Sequence, residues 1–317
     1  MRCQWLLIAV LGVACGGRTA IEESERSPPT QASGGSGAAG SPQTSSWDEI
    51  IWDDEVLYEA VAYLWTGSVS NTWAVVADHM DTFQREHWDG SRWTRTVAAT
   101  DPSAPFDEAQ IWAAESGQTF GGSSRNLQRW LGETWTDWAG TPGCRAVGGR
   151  AENDVWCATE SELWRFDGSQ WTHQPMGGIR GILALARDDV WVWGERGASH
   201  FDGASFRLEL GNLVKRMSAS GPHDVWAVQD GNLLHSTGPG SAWTEQNPTG
   251  GQIASVWSES PENTWIIAAG AAMRWNGSSW QVMPLPMQDE RLLISGSAED
   301  IWIAGTQMLI HGYPVRR

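Results

Sequence analysis

The 317-residue chain is poor in positive charge and poor in cysteine. Lysine occurs once, as Lys215, and 21 basic residues stand against 38 acidic ones, which gives a formal net charge of −17. An acidic chain with no basic tract lacks the electrostatic footprint that binds a phosphate backbone. Nucleic acid is therefore not an expected partner.

A sustained apolar run occurs at the start of the chain, in MRCQWLLIAVLGVAC (1–15). The run from Trp5 to Ala14 has about ten residues, too short to cross the roughly 30 Å hydrocarbon core, which predicts a cleaved export signal. The stretch from Leu11 to Cys15 resembles a bacterial lipobox, in which the signal is cut before the cysteine and that cysteine is lipidated. An ordinary secretory cleavage is the alternative.

The lipobox resemblance implies an address. Two or three acyl chains on Cys15 would anchor the protein stably in a lipid bilayer. Gly16, by its resemblance to sorting signals of Gram-negative lipoproteins, implies the outer membrane, facing the periplasm or the cell surface. A secreted soluble protein is the alternative. Residues 16–46 are rich in Gly, Ser, Pro and Ala and predict a disordered tether, because they cannot bury enough apolar surface to offset ordering.

Past residue 60 a motif of the form D-V-W-A-V recurs. Its tryptophans fall at intervals of 35 to 44 residues, at Trp73, Trp112, Trp156, Trp191, Trp226, Trp265 and Trp302. Each unit predicts four short strands, and the motif strand is apolar on both faces, so it must lie between two layers with Trp226 buried. The pattern predicts an all-β, seven-bladed β-propeller over residues 47–317.

Turn residues and the chain ends refine this prediction. Dipeptides such as Asp89-Gly90 and Asp167-Gly168 predict type I′ hairpins, and the motif aspartates, such as Asp224, are placed to bond the backbone of a turn. The seventh unit lacks its final strand, and residues 45–50 resemble residues 278–283 of the sixth unit. The N-terminal strand is therefore expected to complete the last blade.

These repeats resemble the Trp-rich β-propellers of bacterial surface lipoproteins and, more distantly, the tectonin and kelch propellers. The motifs that carry the resemblance are the repeated D-V-W-A-V and a later D-G-S-x-W, over residues 47–317. Tectonin-like propellers are often lectins, whereas kelch-like ones span protein binding and a copper radical oxidase. The resemblance therefore implies the fold and leaves the chemistry open.

Histidine and cysteine are the residue types most often found in metal sites and disulfides. One repeat position holds either histidine or arginine, which indicates a position on the strand surface and not a metal site, at His87, Arg129, Arg165, His200, His235, Arg274 and His311. No metal and no cofactor are expected.

Cys144 and Cys157 fall nearly opposite each other on the two strands of one hairpin, which makes them a candidate disulfide in an oxidising compartment. Two free buried thiols are the alternative.

Two tryptophans outside the motif are the candidate ligand contacts. Trp65 and Trp257 align with each other, and with Ser218 and Ile294, in the first strand of a unit, which lies nearest the axis of a propeller. An aromatic side chain there can stack on a sugar or a peptide at the channel mouth. Extra packing between blades is the alternative.

The expected function is that of an envelope-anchored binding lipoprotein, monomeric, whose propeller recognises a glycan or an envelope protein. No catalytic residue is assigned, because the chain has no Gly-x-Ser-x-Gly elbow and no phosphate-cradling loop. Two other classes stay open: a carbohydrate-active or oxidoreductase propeller enzyme, and a structural scaffold of an envelope complex.

Overall fold

The computed structural model describes residues 45–55, 60–77, 83–96, 110–285, 292–306 and 309–316. These residues form seven four-stranded antiparallel sheets arranged as the blades of a ring. The predicted seven-bladed propeller is confirmed. The predicted signal, Cys15 and residues 16–44 of the predicted tether lie outside the described residues.

The strands follow one another blade by blade, from the axis outward. The first, β1 (Ser45–Glu55), belongs to the last blade. Blades 1 and 2 contain β2 (Ala60–Ser68), β3 (Asn71–Ala77), β4 (Phe83–Trp88), β5 (Trp93–Thr96), then β6 (Ile111–Ala113), β7 (Thr119–Gly121), β8 (Gln128–Trp130) and β9 (Trp135–Asp137). Blades 3 and 4 contain β10 (Ala146–Ala151), β11 (Asp154–Ala158), β12 (Glu162–Phe166), β13 (Trp171–Pro175), then β14 (Ile179–Ala186), β15 (Asp189–Gly194), β16 (Gly197–Phe201) and β17 (Phe206–Leu210). Blades 5 and 6 contain β18 (Val214–Gly221), β19 (Asp224–Gln229), β20 (Asn232–Ser236), β21 (Thr244–Glu245), then β22 (Ile253–Ser260), β23 (Asn263–Ala268), β24 (Ala271–Trp275) and β25 (Trp280–Met283). Blade 7 contains β26 (Leu293–Gly296), β27 (Ile301–Ala304), β28 (Leu309–Arg316) and β1.

The ring is closed by pairing the two ends of the propeller. Strand β1 runs antiparallel to β28, with Trp52 opposite Gly312, so the outermost strand of blade 7 comes from the N-terminal side. The predicted closure is confirmed. Pairing both termini into one sheet leaves neither end to fray separately.

Blades are joined by tryptophan-on-aromatic contacts that repeat around the ring. An aromatic residue at or next to the start of the outermost strand packs against the motif tryptophan of the preceding blade in six of the described blades, with ring centroids 5.2 to 6.0 Å apart. The pairs are Trp93 with Trp302, Trp135 with Trp73, Phe206 with Trp156, Trp243 with Trp191, Trp280 with Trp226, and Trp47 with Trp265. Trp226 is only 3% exposed, which confirms its predicted burial. Burial of one indole contributes on the order of 5 kcal/mol before entropy is counted.

The predicted motif position of blade 2 is wrong. Trp112 lies in the innermost strand β6, and its cross-strand partner Phe120 in β7 takes the place that a motif tryptophan has elsewhere. Phe120 is 1% exposed and packs in the same cluster as Trp171 of the next blade. The I-W-A sequence around Trp112 resembles the motif because inner strands are also apolar.

The predicted hairpin type is wrong for the Asp-Gly turns. Gly90 has a positive φ of 96°, whereas the structure gives Asp89 none, and the backbone N–H of Asp89 bonds the carbonyl of Arg92 in a four-residue loop. The Asp89 carboxylate accepts hydrogen bonds from Ser91 and from the N–H of Arg92, which lower its pKa to about 2. Positive φ at both central residues occurs instead at Asp230-Gly231, between β19 and β20.

The motif aspartates accept hydrogen bonds from side chains, whereas the sequence predicted hydrogen bonds from the backbone of a turn. In blade 5, Asp224 accepts hydrogen bonds from Trp226 Nε1 at 2.9 Å and His235 Nε2 at 2.8 Å. His235 also packs on the Trp226 ring, with centroids 4.2 Å apart. The histidine-or-arginine position is therefore a partly buried partner of the motif, and its assignment to the strand surface is wrong. Asn71 and Asn263 take the aspartate's place in blades 1 and 6 and accept the same indole bond at 2.9 Å.

Candidate ligand site at the channel

A cavity of about 430 Å³ lies along the axis of the ring. The first strand of every blade contributes to its wall, and Trp193 and Glu195, at the end of β15 and just after it, complete one side. Small-molecule sites in proteins typically enclose about 300–1,000 Å³ and combine aromatic walls with a few polar groups. The axial cavity has the size and composition of such a site.

Both candidate tryptophans line this cavity. Trp65 pairs with Trp73 and Trp257 pairs with Trp265, so each sits beside the motif tryptophan on the innermost strand. Ser218 is equivalent, as predicted, because it pairs with Trp226. The predicted equivalence of Ile294 is wrong.

The error at blade 7 is one residue. Ser295, not Ile294, pairs with Trp302. Ile294 is 7% exposed and packs in the core between blades 6 and 7. A shift of one residue along a strand moves a side chain to the other face, which explains why Ile294 is buried between blades.

Sequence reasoning missed two further tryptophans of the wall, Trp112 and Trp193. Trp112 was assigned to the buried motif, and Trp193 follows the motif of blade 4 by two residues without a counterpart in other blades. The sequence does contain a pattern that assigns the motif position to Phe120 and so removes Trp112 from it. Arg129 follows Phe120 by nine residues, the same interval that separates Trp226 from His235.

Glycines support the indole rings. A methyl group on Gly67 or Gly181 would overlap the ring of Trp65 or Trp193 respectively. A Cβ on Gly296 would lie 3.0 Å from the Trp257 ring. These close approaches require glycine, and they fix the rings against the backbone.

The cavity wall is basic on one side, in contrast to the acidic chain. Arg145, Arg180 and Arg216 stand at or just before the start of the inner strands of blades 3, 4 and 5, which are consecutive in the ring. Glu195 lies 3.5 Å from Arg180, and both side chains are about half exposed. Three arginines and one glutamate give the lining residues a net charge of +2, whereas the whole chain carries −17.

Neutral polar groups share the level of the arginines. Tyr63 precedes Trp65 by two residues, as Arg216 precedes Ser218, so the two stand at matching heights of their strands. Burial raises the pKa of Tyr63 to about 12, against the opposing effect of the Arg216 charge, so its hydroxyl keeps its proton at neutral pH. The Gln110 side chain donates to the carbonyl of Arg180 at 2.5 Å and links blades 2 and 4 at this end of the channel.

Carboxylates are few among the described residues that line the cavity. Glu195 is the one carboxylate among the described residues that line it, whereas hydrolysis of glycosides usually uses two. Within the described part of the chain, no group of three or more His, Cys, Asp or Glu side chains is arranged to hold a metal ion. The wall is suited to recognition by aromatic contact and hydrogen bonding.

The two cysteines form a disulfide outside the channel. Cys144 and Cys157 are bonded, with Cα atoms 5.5 Å apart. Cys157 lies opposite Val147 in the hairpin, whereas Cys144 precedes β10 and donates its N–H to the carbonyl of Ser123 at 2.8 Å. The predicted placement of the cysteines opposite each other in one hairpin is therefore wrong. The bond ties β11 to the segment that connects blades 2 and 3.

No family model matches the chain, and no curated protein sequence matches it. Solved propellers do resemble it in fold. The extracellular domain of a one-component system from B. thetaiotaomicron matches with a TM-score of 0.64 at 11% identity, covering 82% of this chain and 39% of that chain. The chain thus spans about two fifths of the length of that extracellular domain.

Two further solved structures match over most of their length. The RRP9 WD40 repeats match with a TM-score of 0.65 at 10% identity, covering 86% of this chain and 99% of that chain. A chain of the Mitotic Checkpoint Complex matches with a TM-score of 0.62 at 13% identity, covering 88% and 98%. Identities this low show the propeller fold alone. No helix of the described residues has the length and apolar character needed to cross a membrane.

Proposed function

We propose that this protein is an exported binding protein that takes a glycan or a segment of an envelope protein into the mouth of its axial channel. The observation that carries the proposal is the cavity of about 430 Å³, with Trp65, Trp112, Trp193 and Trp257 in its wall. Indole faces stack on the C–H surfaces of sugars and on peptide side chains. Rings held against glycine lose little further freedom on binding, which favours affinity.

The proposed location is the outer membrane, through acylated Cys15. The lipobox-like sequence supports it, and a Gly/Ser-rich coil of the tether's length has a root-mean-square span of roughly 30 Å. Structural likeness to an extracellular domain supports export in general and carries only the fold. Metabolic labelling with a fatty acid tests the anchor: we expect label on the wild-type chain and none on Cys15→Ser. Label retained by Cys15→Ser, or absent from both, contradicts lipidation at this residue.

Binding is tested with the full chain in detergent. A glycan array and a set of purified envelope proteins are probed with the wild type and with Trp65→Ala and Trp257→Ala. Loss of one stacking surface is expected to weaken binding roughly five- to thirtyfold, because an aromatic contact in a pocket typically contributes about 1–2 kcal/mol.

A matched control comes from an indole away from the channel. Trp164 in β12 stacks on His173 with centroids 4.5 Å apart and is partly exposed. Trp164→Ala is expected to leave ligand affinity within about twofold of the wild type. Equal losses in Trp164→Ala and Trp257→Ala would assign the effect to general destabilisation and contradict a channel site. Absence of any ligand among glycans and envelope proteins would contradict the binding function itself.

A further inference from the structure

The charge of the channel mouth is set by three arginines on neighbouring strands. Arg216 and Tyr63 occupy equivalent positions in the inner strands of blades 5 and 1. Gly181, which pairs with Trp193, occupies that position in blade 4, and Arg180 precedes it by one residue. The N–H of Arg145 donates to the carbonyl of Ala158 one step before the first strand pair of blade 3. All three side chains thus leave the inner strands within about one residue of one level and line the same cavity.

We propose that the channel mouth recognises the carboxylate of an acidic saccharide, such as a uronic acid or sialic acid unit. The inference rests on the proposed binding function and adds the chemical class of the ligand. Guanidinium groups bind carboxylates through paired N–H···O bonds and stay protonated at every physiological pH. The arc formed by Arg145, Arg180 and Arg216 is the anion-binding part of the site.

The remaining lining favours a sugar over an anionic peptide. Tyr63 and Gln110 supply neutral hydrogen-bonding groups at the level of the arginines, as sugar hydroxyls require. Trp65 and Trp257 lie on blades 1 and 6, outside the three blades that carry the arginines, whereas Trp193 lies on blade 4 with Arg180, so the wall has indole faces both on the basic side and away from it. A carboxylated sugar has both surfaces, an anionic edge and an apolar C–H face. A cavity of about 430 Å³ accommodates one to two sugar rings.

The net charge of −17 does not prevent the attraction of an anion to this site. At physiological ionic strength the Debye length is about 8 Å, so acidic groups on the outer surface are screened from the mouth. The local sign is set by the lining residues, whose sum is +2. Affinity is therefore expected to fall as salt rises, because the arginine contacts are partly exposed to solvent.

The experiment uses the full chain and a panel of uronic acid and sialic acid oligosaccharides, each beside its carboxyl-reduced neutral form. Affinities are measured by calorimetry at 50 and 300 mM NaCl. At least one acidic member is expected to bind tenfold or more tightly than its neutral form, with weaker binding at the higher salt. Arg180→Gln and Arg216→Gln are each expected to weaken that binding roughly tenfold, whereas Arg180→Lys, which keeps the charge but loses the paired N–H···O geometry, is expected to weaken it by less than Arg180→Gln does.

Arg92→Gln is the matched control. Its guanidinium lies 3.7 Å from Asp89 in an outer turn and its side chain is 79% exposed, so the variant makes the same charge change outside the channel. Its affinity is expected to equal that of the wild type. Thermal unfolding of each variant separates lost binding from lost folding.

Three results overturn the inference. Equal affinity for acidic and neutral forms, or equal losses in Arg92→Gln and Arg216→Gln, removes the arginine arc as the anion site. Tighter binding of acidic peptides than of every saccharide replaces the ligand class. In each of these cases channel binding that depends on Trp257 still supports the proposed function, whereas a chain that binds no glycan and no envelope protein contradicts both.

Discussion

Removal of the Asp224 carboxylate is expected to destabilise the propeller more than removal of a typical surface charge. Asp224 is 5% exposed and accepts hydrogen bonds from side chains in β18, β19, β20 and β22. The donors are Ser220 at 2.6 Å, Trp226 at 2.9 Å, His235 at 2.8 Å and Ser258 at 3.0 Å. One side chain thus joins three strands of blade 5 to the inner strand of blade 6.

The magnitude depends on which donors can find water after Asp224→Ala. Ser220 and His235 are partly exposed and can be hydrated, whereas Trp226 and Ser258 are buried. Ser258 keeps a bond to Thr264 at 2.8 Å, so the Trp226 indole N–H is the donor left without a partner. An orphaned buried donor costs about 1–3 kcal/mol, and loss of the bonds to a charged acceptor adds about 1–2 kcal/mol, so we expect a loss of about 3 kcal/mol.

Asparagine at this position provides the control. Asn263 fills the same role in blade 6, where its Oδ1 accepts from Trp265 at 2.9 Å and Arg274 at 2.8 Å. Asp224→Asn should therefore retain the indole bond and lose about 1 kcal/mol. Chemical denaturation followed by tryptophan fluorescence gives both free energies of unfolding. Losses that agree within about 0.5 kcal/mol would refute the assignment of the stability to the orphaned donor.

The same carboxylate gives a pH dependence of known sign. Burial pushes the pKa of Asp224 upward, but hydrogen bonds from His235, Ser220 and Ser258 outweigh it, and the pKa lies below the ordinary value of 3.8. A pKa lowered by folding contributes stability above pH 3.8 that is lost as the pH falls through the folded-state pKa. We expect the gap between wild type and Asp224→Asn to narrow on acidification in this range. A gap that widens there would contradict the direction of the shift.

Three further perturbations test separate features. Reduction of the Cys144–Cys157 disulfide, which closes a loop of sequence separation 13, is expected to cost about 3 kcal/mol in denaturation with and without reductant; equal stabilities would show that the bond adds nothing. Arg85→Met removes a buried guanidinium that donates to Gln128 and stacks on a Trp ring at 4.2 Å, and a loss of about 2–4 kcal/mol is expected in urea titration, whereas a gain would show that burying the cation costs more than its contacts return. Gly181→Ala would place a methyl group within the Trp193 ring, so near-ultraviolet circular dichroism should change and ligand affinity should fall; an unchanged spectrum would place the ring elsewhere.

The architecture was predictable because the residues that recur in the repeat are the ones that make the contacts between blades. Tryptophans at regular intervals predicted seven blades, and the partial seventh unit predicted closure by β1. Blade 2 was misassigned because Trp112 was matched by its apolar neighbours alone. Residues that pair across adjacent strands predict the register better than apolar neighbours do, because the nine-residue interval from Phe120 to Arg129 repeats from Trp156 to Arg165.

The turn chemistry was less predictable, since Asp-Gly suits two kinds of turn. In Asp89-Gly90 the glycine alone takes a positive φ, and the aspartate caps the following N–H groups. In Asp230-Gly231 both residues do, because only two residues separate the paired strand ends Gln229 and Asn232. Loop length, which depends on where the strands end, decides between the two turns.

The three arginines of the channel could have been recognised from their spacing in the sequence, although residue type alone does not distinguish them from the other arginines. Arg145, Arg180 and Arg216 are separated by 35 and 36 residues, nearly the interval between the motif tryptophans of the same blades. Arg145 and Arg180, separated by the repeat period itself, stand at equivalent heights of blades 3 and 4, and Arg216 stands one residue further along the inner strand of blade 5; all three line the cavity. The blades whose motif tryptophans are separated by other intervals carry no arginine at this level of the cavity wall among the described residues. The repeat that builds the ring thus also concentrates positive charge on one side of its channel.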